Sequence, residues 1–99
     1  MASLHIHLQE GFCGEEVVVT VDGEERLRKG DVRTRRMLAL ASHDTFDVAE
    51  GPHAVDISIP ARGIEKRIDV DAQGDVYVGL GLASDGLRVR VRDTRFGYG

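Results

Sequence analysis

From His53 to Arg92, apolar residues fall on every second position in four consecutive segments. Val55, Ile57 and Ile59 alternate with Ala54, Asp56 and Ser58, and Ile64, Ile68 and Val70 with Glu65, Arg67 and Asp69. Val76, Val78, Leu80 and Leu82 alternate with Tyr77, Gly79 and Gly81, and Leu87, Val89 and Val91 with Arg88, Arg90 and Arg92. A strand turns successive side chains to opposite faces, so period two predicts strands with one face on a core and one in water. Pro60–Gly63, Asp71–Gly74 and Ala83–Gly86 are turns short enough to join antiparallel neighbours, which predicts a C-terminal four-strand meander. Ile57, Ile68, Val78, Leu80 and Val89 are expected in the core, with Asp56, Glu65, Arg88 and Arg90 on the opposite faces.

The N-terminal half carries the same signal in shorter pieces. Leu4, Ile6 and Leu8 predict a strand over 3–9 with Ser3, His5, His7 and Gln9 outward, broken by Gly11–Gly14. Val17, Val19 and Val21 predict a second strand, and Asp22-Gly23 a hairpin leading into Glu25–Lys29. A two-residue loop sets Val19 opposite Arg26; a three-residue loop sets it opposite Leu27, which suits the pattern better. Arg35–Ala41 has the propensity for a helical turn, but the surrounding β pattern favours a strand. Thr45–Val48 is a short strand with Phe46 and Val48 inward, followed by a turn at Glu50-Gly51-Pro52. The result is an all-β chain, a single domain over 1–99, of seven to nine short strands in a two-sheet antiparallel β-sandwich. Residues 3–9, 25–29 or 86–92 are its expected edge strands.

The segments "VTVDGEERL", "VAEGPHAVDISIP" and "KRIDVDAQGDVYVGLGL" resemble the PEGA and carboxypeptidase-regulatory-like group of immunoglobulin/prealbumin-type sandwiches. The resemblance rests on a Val-Asp-Gly hairpin and a later Gly-x-His-x-Val-x-Val strand, matched by Gly51, His53, Val55 and Ile57. It covers roughly residues 16–83; the Pro-Glu-Gly-Ala tetrapeptide is absent, and Ala61-Arg62-Gly63 replaces the Gly-Tyr that often follows the strand. The resemblance implies a non-catalytic module attached to larger proteins, often outside the cytoplasm, and it supplies no catalytic residue.

A net charge of −4 argues against nucleic acid, whose binders are usually basic. The single cysteine, Cys13, excludes an intrachain disulfide. No run approaches the ~20 apolar residues of a membrane-spanning helix, and the first residues lack the basic and apolar regions of a signal peptide. A cytoplasmic protein without membrane insertion is expected.

His5 and His7 project from one face of a strand, an arrangement that serves either a solvated surface or two ligands to zinc or copper. His53 follows a turn proline and is expected to be a structural hydrogen-bonder. Cys13 has no activating base near it in sequence, and Ser42-His43-Asp44 cannot converge as a triad on an extended chain. Asp69, Asp71 and Asp75 lack the spacing of a calcium loop. Lys66 falls on the inward parity and is expected to snorkel at the rim. The meander register sets Gly81, Gly79 and Tyr77 between Arg88, Arg90 and Arg92 on one side and Glu65, Arg67 and Asp69 on the other. Glycine inside a strand often marks close approach by a ligand or another backbone, so this outer face is a candidate binding face. Phe96 and Tyr98, beyond the last strand, are a candidate association tail. The function expected is a non-catalytic binding or assembly module without a cofactor, a homo-oligomer acting through strand edges or this glycine face. A small metal-binding domain using His5 and His7 is the alternative.

Overall fold

In the structure, a computed structural model, residues 1–35 and 40–93 are described. Eight strands follow in order: β1 (Ala2–Leu8), β2 (Cys13–Val21), β3 (Glu24–Arg33), β4 (Ser42–Val48), β5 (Gly51–Ile59), β6 (Ile64–Ala72), β7 (Asp75–Ala83) and β8 (Gly86–Arg92). They form two packed four-stranded sheets, ordered β4-β1-β7-β8 and β3-β2-β5-β6. The protein is an all-β two-sheet sandwich. Part of the segment for which helix and strand competed, 36–39, and the tail with Phe96 and Tyr98 lie outside the described residues.

Leu4, Ile6 and Leu8 of β1 face Val17, Val19, Val21, Val55, Ile57 and Ile59 of the second sheet, all buried. Ile57, Val78 and Leu80 are buried as the alternation requires. Ile68 and Val89 are only half-buried, because β6 and β8 are edge strands and the core covers them from one side.

The hairpins β5–β6 and β7–β8 form in the expected register, with Tyr77, Gly79 and Gly81 opposite Arg92, Arg90 and Arg88. The four-strand meander does not form. At Gln73-Gly74 the chain passes from one sheet to the other, and β7 pairs with β1 instead of β6. That pairing is parallel, the one departure from the antiparallel pattern among the described strands. Val70 and Val76 point into the core on either route, so alternation cannot separate a hairpin from a sheet-to-sheet corner. In consequence β1 is a central strand and not an edge; the edges are β3, β4, β6 and β8.

Asp22 and Gly23 both take positive φ, 50° and 84°, the type I′ geometry that matches strand twist. The turn is thus two residues long, with Val21 opposite Glu24. A bulge at Arg26 then brings Leu27 opposite Val19, so the apolar pairing arises without a three-residue loop. The β1–β7 pairing runs on past Leu8, through Gln9 N–H to the Leu80 carbonyl (2.7 Å) and Leu82 N–H to the Glu10 carbonyl (2.8 Å). Gly11, at φ +89°, follows directly; a Cβ there would fall on the Leu82 carbonyl oxygen.

Candidate functional site

Register places two rows of chemistry-bearing residues across the outer face of the β4-β1-β7-β8 sheet. Thr45, His5, Tyr77 and Arg92 form one row, and His43, His7, Gly79 and Arg90 the next. The His5 ring stacks on Tyr77 at 4.3 Å between centroids. Its Nδ1 lies 2.9 Å from Thr45 Oγ1 and its Nε2 3.0 Å from Asp75 Oδ1. His7 stacks on His43 at 5.5 Å and meets Tyr77 edge-on at 6.1 Å. His5 and His7 therefore share a face, as the spacing requires, but both nitrogens of His5 are engaged by protein groups. Among the described residues no group of three His, Cys, Asp or Glu side chains could hold a metal ion.

Gly79 and Gly81 are buried although they face outward from the sheet. A Cβ at Gly79 would lie 2.7 Å from Gln9 Oε1, and one at Gly81 would meet the Glu10 carboxylate. Gln9 is 2% exposed, and its Oε1 accepts a 2.7 Å hydrogen bond from Arg90 Nη2. The glycines make room for the chain's own side chains. Glu65 and Arg67 do not belong to this face: β6 lies in the other sheet, where they stand opposite Ser58 and Asp56. Arg67 is held there by both Asp56 oxygens, at 2.7 and 3.2 Å. The postulated row of charges on both sides of the glycines thus keeps its arginines and loses its β6 half, replaced by β1.

The two open sides of the sandwich differ. Where β3 meets β4, Lys29 Nζ reaches Asp44 Oδ2 at 3.0 Å. Arg26, freed from the ladder by its bulge, lies 4.7 Å over the Phe46 ring and donates to the Asp47 carbonyl at 2.8 Å. These contacts bridge that side with charge and aromatic surface between Arg26 and Lys29. A cleft of about 480 Å³ opens beyond them, lined by Gly30, Asp31, Arg33, Ala41 and Ser42. Where β6 meets β8, Ile64, Ile68 and Val89 are half-buried and Val91 is 49% exposed. Lys66, on the inward parity opposite Ile57, is exposed at this rim, as expected. A cleft of about 420 Å³ opens here between Asp71, Val76, Val91, Arg92 and Asp93.

The remaining polar candidates are structural ties. His53 is 11% exposed, with Nε2 2.6 Å from the Ala49 carbonyl and Nδ1 2.5 Å from Asp22 Oδ2. Both partners are acceptors, so the ring serves both only as the imidazolium; the carbonyl first, then the carboxylate, raise its pKa. Asp22 is shifted down, chiefly by that hydrogen bond and then by the Ala54 amide at 2.9 Å. The hairpin and strand residues behind the family resemblance thus meet through one ion pair. Glu15 is buried and ties β2 to the turn at Pro60–Arg62, accepting from the Cys13 amide (2.6 Å) and from Arg62 Nη2 (3.0 Å). Burial pushes its pKa up, but the amide donors and Arg62 together outweigh that, and the net shift is down. Cys13 is an exposed free thiol. Ser42 and Asp44 contact each other at 3.4 Å while the His43 ring stacks on His7, so these three do not converge.

No protein-family model, curated protein or solved structure matches this chain. Sequence reasoning missed Gln9, read as a solvated position because its parity is outward. It also missed Arg26 and Lys29, whose contacts depend on which strands share an open side. The chance of a bulge beside the Asp22-Gly23 turn was the one available signal for Arg26.

Proposed function

We propose that this chain is a non-catalytic binding and assembly module that self-associates through the β6/β8 side of its sandwich. The observation that carries this reading is the contrast between the two open sides. The β3/β4 side is bridged by the Lys29–Asp44 ion pair and by Arg26 over Phe46. The β6/β8 side leaves half-buried isoleucine and valine beside two edge strands, each a template for another chain. The glycine face is the weaker candidate for a partner, since Gln9 and Glu10 already cover Gly79 and Gly81. The resemblance to PEGA-type domains fits a non-catalytic role.

Light scattering tests the proposal. The mass of the wild-type protein is expected to rise above 10.8 kDa between low and high micromolar concentration. Val91→Lys places a charge on the inward side of an edge strand, a device that blocks edge pairing. The variant is expected to stay monomeric with an unchanged β circular dichroism spectrum, the side chain it replaces being half exposed. A wild-type protein monomeric throughout that range would remove the proposal.

A further inference from the structure

Resting on that reading, we infer that the partner is a second copy in one specific arrangement, with β8 of each protomer running parallel beside β6 of the other. The strand directions narrow the possibilities to two. β6 turns back into β7 at Gln73-Gly74 and β7 turns back into β8, so β6 and β8 run in the same direction along the same open side. Two copies meeting across that side with their cores aligned are related by one of two kinds of two-fold axis. An axis normal to the sheets sets β8 against β8 and β6 against β6, both antiparallel. An axis along the strands sets β8 against β6, in parallel and twice over.

Charge separates the two. The outer row of β8 is Arg88, Arg90 and Arg92, so pairing β8 with itself stacks one arginine ladder on another. Like charges directly opposite each other destabilise a sheet, and opposite charges stabilise it. The outer row of β6 is Glu65, Arg67, Asp69 and Asp71, in which Arg67 is already held by Asp56. Pairing β8 with β6 lays the arginines beside these acids. Lys66, inward between Ile64 and Ile68, confines the apolar part of the contact to the C-terminal half of β6. There Ile68, Val70 and Ala72 lie beneath Asp69 and Asp71, as Leu87, Val89 and Val91 lie beneath the arginines of β8. Apolar meets apolar on the core side and acid meets arginine on the outer side.

Sedimentation equilibrium on charge-swapped proteins tests the arrangement. Arg88→Asp and Asp69→Arg, both at exposed positions, are each expected to raise the dimer dissociation constant about tenfold. The double variant Arg88→Asp/Asp69→Arg is expected to return it to near the wild-type value, which a folding defect would not do. A wild-type dimer that Arg88→Asp tightens would overturn this arrangement in favour of β8 on β8, and one that it leaves unchanged would overturn it by placing Arg88 outside the contact, with self-association intact in both cases. A wild-type monomer would overturn both.

Discussion

His53 presents both ring nitrogens to acceptors, which makes the turn between β4 and β5 pH-sensitive. Its folded pKa lies above the ordinary histidine value of about 6.5. The stabilisation is therefore complete below that value and is lost as pH rises through the raised one. Asp22, shifted down, contributes above the ordinary aspartate value of about 3.9 and loses its contribution as pH falls through the lowered one. Thermal unfolding should show the wild-type advantage over His53→Gln narrowing between pH 6 and pH 8.5; an advantage constant over that range would contradict the imidazolium assignment. Gly11→Ala is expected to cost more than about 2 kcal/mol in denaturant unfolding, from positive φ and collision with the Leu82 carbonyl. Gly30→Ala, with open space at its Cβ, is expected to be neutral or slightly stabilising. At this scale the sequence marked His53 as a hydrogen-bonder through its place after Pro52 and its match to the resemblance. It could not mark Gln9, because outward parity reads the same whether water or Arg90 covers the side chain.

Strands were legible wherever apolar residues alternate, and the β7–β8 register followed from the turn Ala83–Gly86, which pairs Leu82 with Leu87. The partner of β7 was not legible. A strand whose Val76, Val78, Leu80 and Leu82 face the core satisfies the same pattern beside β6 or beside β1, and the Asp71–Asp75 connection permits both. That ambiguity moved Glu65 and Arg67 onto the wrong face. Edge position also grades the core. Leu80→Ala, in a central strand and fully buried, is expected to cost about 2–5 kcal/mol. Ile68→Ala, in edge strand β6, should cost less than about 2 kcal/mol because part of its surface already meets solvent. Equal losses in urea unfolding would place Ile68 in the core after all. A double-mutant cycle on Lys29 and Asp44 should give a coupling of about 0.2–1 kcal/mol, the range for a partly exposed pair.

For the whole molecule, the fold class was readable because period two repeated over nearly the entire chain and every candidate turn was short. The division of strands between sheets was not, and neither was the asymmetry between the two open sides, which exists only once β3 lies over β4 and β6 over β8. That asymmetry is the ground for assigning assembly to the β6/β8 side. Amide hydrogen exchange followed residue by residue at low and high micromolar protein tests it most directly. Protection should increase with concentration at β6 and β8 and stay constant at β3 and β4. Exchange independent of concentration, or protection gained at β3 and β4 instead, would contradict assembly through β6 and β8.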